Sequence, residues 1–432
     1  MKKIVITPAN LKGVLSIPPS KSISHRALIC AGLAEGESLI DNIIFSEDIC
    51  ATLEGMQSLG VKTEKVLNSV IGSPGSVKVK GSWPLHKAGE VIDCGESGST
   101  LRFLIPLAGL TGEEIVFTGR GRLVERPLET YYKLFREQSI DFSNYAGHLP
   151  LKVRGLLKSG DYRIKGNISS QFITGLMFLL PQLEKDSRIL ITDKLESKGY
   201  VDLTIDVLKK YSVDIINNDY SEFIIKGNQK YLSTDYRVEG DFSQASFWIV
   251  AGGLGGNIEC KDINISSLQG DRVIIDIAKK MGMNIIESGD SLIIKSSETR
   301  GVEIDASQCP DLVPVLAVLG ALSSGTTRIF NAKRLKIKES DRLKAIATEL
   351  NKLGADVQEL ADGLIIEGRE KLRGGIVDSW NDHRIAMALA VASVKCTSPV
   401  VITNSSVVKK SYPHFWSDFE KLGGKVDERS MG

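Results

Sequence analysis

A structural unit recurs about six times along this 432-residue chain and constrains its fold more than any other feature. Each copy has a glycine-containing or polar turn, a short β-branched strand, a polar loop, an amphipathic helix and a break before another strand. In the clearest copy, a strand is predicted at 326–330 and a helix at 340–353. Apolar side chains of this helix recur at spacings of three and four, which predicts one buried face. The pattern predicts an α/β protein built from repeats.

The other copies begin near residues 35, 111, 185, 255 and 397. Their helices are predicted at 48–59, 128–137, 201–210, 271–281 and 413–422. Glycine recurs after the predicted helices, where it supplies a left-handed cap. Alternation of strand and helix is common in α/β proteins, so accident is the competing interpretation. Three copies before about residue 235 and three after it indicate two similar halves, which agrees with the length expected of two domains.

Composition excludes several classes of protein. The chain has 54 basic and 53 acidic side chains, a net charge of +1, so no global field attracts nucleic acid or an anionic membrane. A hydrophobic fraction of 42% with 25% charged residues is ordinary for a folded soluble chain. We therefore expect no nucleic-acid partner and no membrane association, and any affinity for anions must be local.

The cysteines and the apolar segments bear on location. Six cysteines lie far apart without zinc-site spacing, which favours a reduced, cytoplasmic and metal-free protein. The apolar run at 4–6 is too short for a signal sequence. The apolar runs at 172–180 and 385–394 are shorter than the roughly 20 residues of a membrane span. We interpret both as buried helices.

Three polar segments of the first half each precede an apolar predicted helix. Residues 18–28 place Lys21 and Arg26 beside serine hydroxyls at a helix start. Residues 93–102 are rich in glycine and hydroxyl groups, and residues 166–172 carry a polar trio. Helix N-termini with fixed positive charge bind phosphate and carboxylate groups. Ordinary capping with solvated bases is the alternative for each.

Four further segments lie in the second half, at 309–314, 335–342, 381–384 and 408–413. The first carries Asp311 into an apolar helix, where desolvation is expected to raise its pKa and make it a usable base. An N-cap role for this aspartate is the alternative. The other three segments could be solvated charge runs, which is the usual position of such sequences.

All these segments occupy the loop where a strand leads into a helix. In such repeats these loops converge on one face, and two facing halves would enclose a cleft. The basic residues expected to line it are Lys21, Arg26, Arg126, Lys338, Arg342, Arg384 and Lys410. A near-neutral protein that concentrates cations in this way is suited to a small polyanion. The sequence has no GxxxxGK[ST] loop and no GxGxxG after a strand, which argues against nucleotides.

At this point the chain resembles the 5-enolpyruvylshikimate-3-phosphate synthase family over essentially its whole length. The matching motifs, in order, are Ser20-Lys21-Ser22 with Arg26, Glu125-Arg126-Pro127, Ser169-Ser170-Gln171-Phe172, Lys338-Glu339-Ser340-Asp341-Arg342 and Asn381-Asp382-His383-Arg384. The resemblance implies two inside-out α/β domains, each of three repeats with buried helices and outer sheets, and an active site in the interdomain cleft. It also implies domains at 20–239 and at 1–19 plus 240–432.

The resemblance implies roles for individual residues. Shikimate 3-phosphate is expected to contact Lys21, Ser22, Arg26, Ser169, Ser170, Gln171, Ser197, Tyr200, Asp311 and Lys338. Phosphoenolpyruvate is expected to contact Lys21, Gly98, Arg126, Gln171, Arg342, His383, Arg384 and Lys410. As catalytic residues, Asp311 accepts the proton of the attacking hydroxyl, Glu339 serves the methylene carbon, and Lys21 assists.

The implied reaction is transfer of the enolpyruvyl group of phosphoenolpyruvate to the 5-hydroxyl of shikimate 3-phosphate. It proceeds by addition and elimination through a tetrahedral intermediate, with neither a metal nor an organic cofactor. We expect a cytoplasmic monomer whose partners are these small molecules, and glyphosate is expected to compete with phosphoenolpyruvate. One alternative is the related transferase for UDP-N-acetylglucosamine, which uses a loop cysteine that residues 118–126 lack. A phosphate-binding protein without catalysis is the other.

Overall fold

A computed structural model describes residues 2–66 and 74–430 of the chain. Within these residues the chain forms twelve α-helices and twenty-four strands. The helices are α1 (Lys21–Leu33), α2 (Glu47–Ser58), α3 (Gly98–Ala108), α4 (Glu129–Gln138), α5 (Ser170–Leu179), α6 (Lys198–Lys210), α7 (Phe242–Gly255), α8 (Ile274–Lys280), α9 (Val313–Ala321), α10 (Arg342–Lys352), α11 (His383–Ala392) and α12 (Phe415–Lys421).

The strands are short, and most have one face exposed. In chain order they are β1 (Lys2–Thr7), β2 (Lys12–Ser16), β3 (Glu37–Ile43), β4 (Lys62–Val66), β5 (Gly75–Lys80), β6 (Val91–Asp93), β7 (Ile115–Thr118), β8 (Asp141–Tyr145), β9 (His148–Arg154), β10 (Asp161–Ile164), β11 (Ser187–Ile191), β12 (Ile215–Asn218), β13 (Glu222–Ile225), β14 (Tyr236–Arg237), β15 (Asn257–Lys261), β16 (Asn284–Ser288), β17 (Ser291–Lys295), β18 (Glu303–Asp305), β19 (Thr326–Phe330), β20 (Asp356–Glu359), β21 (Leu364–Glu367), β22 (Gly375–Asp378), β23 (Val400–Thr403) and β24 (Lys425–Ser430).

The described strands form six four-stranded sheets with one shared pattern. The strand orders are β14-β3-β5-β4, β6-β7-β9-β8, β10-β11-β13-β12, β2-β15-β17-β16, β18-β19-β21-β20 and β22-β23-β1-β24. In every sheet the first two strands run parallel and the other neighbours run antiparallel. The recurrence of this order confirms the predicted sixfold repeat.

The copy that contains β19 shows how the sequence specifies one repeat. The predicted strand at 326–330 is confirmed, and it leads through α10 into the antiparallel pair β20 and β21. The helix begins two residues later than predicted because Asp341 has extended backbone and serves as the N-cap, accepting from Lys344 N–H at 3.2 Å. Its buried face carries Leu343, Ile346 and Leu350, as their spacing predicts.

Left-handed residues follow the amphipathic helices, but they are not always glycine. Gly60 and Gly354 have φ of 92° and 90°, and the glycines after α8 and α12 have similar values. Ser139 after α4 and Ser212 after α6 adopt φ of 55° and 64°. The predicted glycine cap is therefore confirmed in four repeats, and serine occupies the left-handed position in the other two.

The chain divides into two compact units. Unit N comprises Pro19–Val238, and unit C comprises Met1–Pro18 with Glu239–Gly432. The start of the chain completes two sheets of unit C, because β1 lies between β23 and β24 and β2 pairs with β15. Ile4 thereby faces Ile402 in the register of β1 with β23. Each unit contains three of the six sheets.

Each unit has its own apolar core, formed around three helices. In unit C every residue of α9 and α11 is buried, and α7 is buried from Phe242 to Leu254. In unit N, α1, α3 and α5 are buried over nearly their whole lengths. The amphipathic helices and the sheets cover these cores, which places helices inside and sheets outside. No helix in the described residues has the length and apolar character needed to cross a membrane.

Candidate functional site

The N-terminus of α1 holds the first group of candidate residues. Ser20 caps the helix, since its hydroxyl accepts from Ile23 N–H at 3.4 Å. Lys21 and Ser22 therefore occupy the first turn, in a fixed position. Lys21 Nζ donates to Asp48 Oδ2 at 2.6 Å, and the two side chains are only 17% and 12% exposed. Asp48 thus holds the ammonium group, and no motif in the sequence had singled it out.

Arg26 connects α1 with α6. Its Nη1 donates to the Ser22 carbonyl at 2.7 Å, Nε to the Thr204 hydroxyl at 2.9 Å and Nη2 to the Tyr200 carbonyl at 3.0 Å. Burial lowers the pKa of Arg26 to about 10, so the guanidinium remains charged at neutral pH. Ser197, immediately before α6, is buried and has left-handed backbone with φ of 57°. The structure brings Ser22, Arg26 and the start of α6 together.

The N-terminus of α3 is closely approached by arginines. Ser97 is its N-cap and Gly98 its first residue. A Cβ at Gly98 would lie 2.5 Å from Arg126 Nη1 and 3.0 Å from Arg102 Nη1. Arg102 also donates to Gln171 Oε1 at 2.9 Å. Glycine is therefore required at this position for both guanidinium groups to approach the helix start, where the N–H groups carry partial positive charge.

The N-terminus of α5 faces the same arginine-rich region of unit N. Ser169 caps the helix by accepting from Gln171 N–H at 3.3 Å, so the capping interpretation of Ser169 is correct. Ser170 is buried in the first turn. Gln171 Nε2 donates to the Ser99 hydroxyl at 3.0 Å. Its amide group is thus turned toward α3, a role that capping does not require.

Arg342 is the centre of the candidate group in unit C. It is 1% exposed, and each of its nitrogens meets a carboxylate. Nη1 lies 2.8 Å from Asp311, Nη2 lies 2.7 Å from Glu339 and Nε lies 2.8 Å from Asp382. Ser340 donates to the same Asp382 oxygen at 3.0 Å. A single buried guanidinium therefore positions both carboxylates that we expected to be catalytic.

Arg384 and Lys338 add further positive charge around Asp311. Arg384 Nη2 lies 3.2 Å from Asp311 Oδ2, and Lys338 Nζ lies 3.6 Å from Oδ1. Asp311 belongs to the short 3₁₀ segment Pro310–Leu312 that leads into α9. The N-cap position of that helix is Leu312, so the N-cap alternative for Asp311 is wrong.

The remaining candidates of unit C lie around the start of α11. Asp382 caps this helix, with its carboxylate accepting from Arg384 N–H at 2.9 Å. His383 is the first helical residue and is buried. Lys410 ends a 3₁₀ segment and donates to the Asn381 carbonyl at 2.8 Å, directly before the cap. The structure thus collects the candidates from the last three motifs within unit C.

The expected rise in the pKa of Asp311 is wrong. Burial acts in that direction, but Arg384, Lys338 and Arg342 together outweigh it and hold the pKa well below its ordinary value. The Glu339 carboxylate acts in the same direction as burial but has a smaller effect than each of the three cations. The apolar helix after Asp311 is visible in the local sequence, whereas the three cations that contact its carboxylate come from distant segments. Asp311 is therefore an ionised carboxylate in this arrangement.

Asp271 is a second buried carboxyl group in unit C. Ser243 donates a hydrogen bond to its Oδ2. Burial and the nearby Asp311 charge raise the pKa of Asp271 to about 6, against the opposing effect of Arg384. No role was expected for this residue from the sequence, because its partners lie on distant segments of the chain.

The raised pKa of Asp271 has a measurable effect on stability. Between about pH 4 and 6 the folded chain binds this proton while the unfolded chain has released it, so the stabilisation is lost as pH rises through that interval. In the unmodified protein this group lowers the free energy of unfolding by about 3 kcal/mol as pH rises from about 4 to 6. We expect Asp271→Asn to lack this decrease. Urea titrations at several pH values measure this. The exposed Asp276→Asn on α8 is the control, and equal pH dependence in all three proteins would contradict the assignment.

Metal ligation has no candidate group among the described residues. In residues 2–66 and 74–430, no three His, Cys, Asp or Glu side chains are placed to hold a metal ion. The functional candidates that the sequence analysis missed are Asp48, Arg102 and Asp382, which it left without roles. Each contacts a predicted residue. Asp48 and Asp382 lie at helix starts, which is the signal by which they could have been found, whereas Arg102 lies in the second turn of α3.

The fold and these groups define a class of protein. It is a chain of two inside-out α/β units in which buried cations gather at helix N-termini, as in sites for phosphate and carboxylate groups. Within unit C these cations contact the carboxylates of Asp311, Glu339 and Asp382.

Comparisons with known proteins place the chain in one family of this class. The sequence profile of EPSP synthase (3-phosphoshikimate 1-carboxyvinyltransferase) matches residues 5–419. Proteins named 3-phosphoshikimate 1-carboxyvinyltransferase from Clostridium novyi and Clostridium kluyveri are 62% and 57% identical, and the matches cover 100% of each chain. A solved EPSP synthase from Acinetobacter baumannii is 25% identical, with a TM-score of 0.82 and full coverage of both chains.

The chain belongs to the EPSP synthase family. The predicted fold class is thereby confirmed, with inside-out units of three repeats each. The matches favour this family over the related UDP-N-acetylglucosamine transferase, which the sequence analysis kept as an alternative.

Proposed function

We propose that this chain transfers the enolpyruvyl group of phosphoenolpyruvate to the 5-hydroxyl of shikimate 3-phosphate and releases phosphate. The reaction is a step of the shikimate pathway to chorismate and the aromatic amino acids. The observation that supports it most directly is the pair Asp311 and Glu339, held on one buried guanidinium and next to further cations. Cations of this number suit two phosphorylated substrates, and the carboxylates suit the proton transfers between them.

The residues proposed for shikimate 3-phosphate are grouped by the contacts in each unit. In unit N, Ser22, Arg26 and Tyr200 are joined through the Arg26 guanidinium. Ser197, Ser169 and Ser170 present hydroxyl groups at the starts of α6 and α5. In unit C, Lys338 lies beside Asp311 and supplies a further charge.

The residues proposed for phosphoenolpyruvate include three arginines and two lysines. Arg126 and Gln171 lie around Gly98 in unit N, whereas Arg342, Arg384, His383 and Lys410 lie at the helix starts of unit C. Guanidinium groups recognise phosphate and carboxylate through paired N–H donors. The proposal assigns Lys21 to both substrates, because it is the charged residue in the first turn of α1.

The proposed chemistry uses the carboxylates as follows. Glu339, in its protonated form, delivers a proton to the methylene carbon of phosphoenolpyruvate, and the adjacent carbon becomes electrophilic. The 5-hydroxyl oxygen bonds to that carbon, and its proton passes to Asp311. The tetrahedral intermediate then loses phosphate while one methyl proton returns to the Glu339 carboxylate, which restores the double bond. Lys21 assists by its charge.

In this proposal, substrate binding raises the pKa of Asp311, which is too low for an effective base in the free protein. Arg342 and Arg384 hold the carboxylate in its weakly basic form. A phosphate or carboxylate that binds these guanidinium groups weakens their pull and raises the pKa of Asp311. The base thereby becomes effective when both substrates are present, which agrees with the requirement that a general base be matched to its task.

The proposal also covers where the chain acts, its oligomeric state and its domains. The relatives act, by name, on small molecules, and we propose that the chain is a cytoplasmic monomer that needs no metal or organic cofactor. We further propose that residues 20–239 form one domain and residues 1–19 with 240–432 the other. Size-exclusion chromatography with light scattering tests the assembly, and a dimer would contradict it.

Phosphate release tests the proposed function. Purified protein is given phosphoenolpyruvate with shikimate 3-phosphate in EDTA, and a parallel sample contains UDP-N-acetylglucosamine as acceptor. Release with shikimate 3-phosphate alone supports the proposal. Release with the nucleotide sugar alone would show that the chain acts on UDP-N-acetylglucosamine instead. Tight binding without release would show that it is a binding protein.

Glyphosate is expected to compete with phosphoenolpyruvate. The reason is Gly98, whose missing Cβ leaves room for the Arg126 guanidinium at the start of α3, and a cation at a helix N-terminus favours the binding of anions. Initial rates are measured at several concentrations of both compounds. We expect the apparent inhibition constant to rise in proportion to phosphoenolpyruvate, and a constant value would contradict a shared site.

A further inference from the structure

A buried row of hydrogen bonds joins three helices of unit N. His25 Nδ1 on α1 lies 2.7 Å from the Thr52 hydroxyl on α2, which lies 2.7 Å from the Thr100 hydroxyl on α3. Thr100 then donates to the Ser97 hydroxyl at 2.8 Å. All four side chains are at most 1% exposed. Such a row is unusual in an apolar interior, because each unsatisfied member carries a desolvation penalty.

The direction of the donors follows from the charge state of His25. Burial, with Lys21 and Arg26 nearby, lowers the pKa of this imidazole well below its ordinary value, so the ring is neutral and carries one N–H. Nε2 is buried and has no hydrogen-bond partner among the described residues. We assign the proton to Nδ1, because an unpaired buried N–H costs more than an unpaired lone pair. His25 is then the first donor, and the hydroxyl protons point toward Ser97.

The far end of the row is the N-cap of α3. The Ser97 hydroxyl accepts from Thr100 N–H at 3.2 Å and from the Thr100 hydroxyl as well. Gly98 is the next residue and the first of the helix. A donor row that ends on the cap therefore fixes the backbone from which the first N–H groups of α3 project.

The near end of the row adjoins the charged residues of α1. His25 lies between Lys21 and Arg26 on that helix, and the carboxylate of Asp48 holds Lys21 at 2.6 Å. The Asp48 carbonyl lies 3.4 Å from the hydroxyls of both Thr52 and Thr100. One short segment of α2 thus connects the start of α1 with the start of α3.

We propose that His25 is a positioning residue that, through Thr52, Thr100 and Ser97, holds the N-terminus of α3 at a fixed place relative to Lys21 and Arg26. The inference rests on the proposed function in one respect only: its expected effect on substrate binding assumes that phosphoenolpyruvate binds at Gly98. His25 touches no substrate in this proposal. Its effect is on the geometry of the helix start, and it acts as a neutral donor.

Three variants separate positioning from packing. Thr52→Val removes one hydroxyl and keeps the shape, and His25→Leu removes the imidazole donor. His25→Asn keeps a donor, because its amide nitrogen occupies a place close to Nδ1. The control is Thr111→Val, which removes a threonine hydroxyl near the opposite end of α3, where it donates to the Ala108 carbonyl at 2.9 Å.

Steady-state kinetics provide the first measurement. We expect Thr52→Val and His25→Leu to raise KM for phosphoenolpyruvate about tenfold, since a buried partner is lost, while kcat changes by less than about threefold. KM for shikimate 3-phosphate is expected to change less than KM for phosphoenolpyruvate. His25→Asn and Thr111→Val should stay within about threefold of the unmodified protein. Because the imidazole is neutral, none of the variants should shift the pH profile of kcat/KM.

Amide hydrogen exchange provides a second measurement that does not depend on the reaction. We expect faster exchange in peptides covering residues 98–101 for Thr52→Val and His25→Leu, and normal exchange there for His25→Asn. If the unmodified protein does not turn over but the exchange pattern holds, the proposed function fails and the positioning role of His25 stands. If the protein is active and these variants change neither KM nor local exchange, the positioning role is overturned. A uniform loss of stability with both KM values unchanged would likewise overturn it, because the hydrogen bonds would then contribute only to the stability of unit N.

Discussion

Asp311→Asn should abolish most of the turnover and leave substrate binding intact. The asparagine has nearly the same volume, and its single amide oxygen can accept from either Arg342 or Arg384, which contact different oxygens of Asp311 at 2.8 and 3.2 Å. It cannot take the proton of the attacking hydroxyl. We expect kcat to fall by about 10²- to 10⁴-fold, the usual contribution of a general base. Phosphate release gives kcat, and calorimetric titration with shikimate 3-phosphate gives the dissociation constant.

Loss of the charge has a second consequence in the same variant. A carboxylate opposes the approach of an anion, so the dissociation constant of Asp311→Asn should be unchanged or lower. Asp290→Asn, in an exposed turn of unit C, is the control and should behave as the unmodified protein. Unchanged kcat in Asp311→Asn would remove Asp311 from catalysis. Binding that weakens in step with kcat would instead make it a structural residue.

The fold could be predicted from the sequence because its information is local. Spacings of three and four in the segment that became α10, and β-branched residues in the segment that became β19, determine one repeat without reference to the rest. The six copies then support one another. The boundaries were less accurate, since α10 begins only after the extended cap residue Asp341, and a periodic pattern does not reveal where the backbone changes conformation.

The candidate residues could be found from the sequence, but their electrostatics could not. Motifs at helix starts indicated Asp311 and Arg342, and the family resemblance added Glu339. The pKa of Asp311 depends on cations from two later segments, and the expectation of a raised value failed for that reason. Asp382 and Asp48 show the same limit, because an aspartate at a helix start has the same local sequence whether it is a simple cap or also the partner of a buried cation.

The three-carboxylate environment of Arg342 gives the largest expected effect on both stability and activity. Arg342→Gln would leave Asp311, Glu339 and Asp382 close together without the buried cation that separates them. Breaking a buried ion pair by removing one partner typically costs about 3–5 kcal/mol. We expect a loss of that size in urea unfolding. The exposed Arg328→Gln on β19, whose ion pair with Glu303 spans 3.5 Å, is the control and should lose less than about 1 kcal/mol.

Combining the substitution with Asp382→Asn separates the structural role of Arg342 from its proposed substrate contact. Asp382 is wholly buried and contacts Arg342 at 2.8 Å, so removing its charge relieves much of the repulsion left by Arg342→Gln. We expect the double variant to recover at least half of the lost stability while kcat/KM for phosphoenolpyruvate stays reduced by about 10³-fold or more. Recovery of stability and activity together would mean that Arg342 serves only to neutralise the carboxylates. Loss of activity that persists in a stable double variant is the result expected of a guanidinium that binds the substrate.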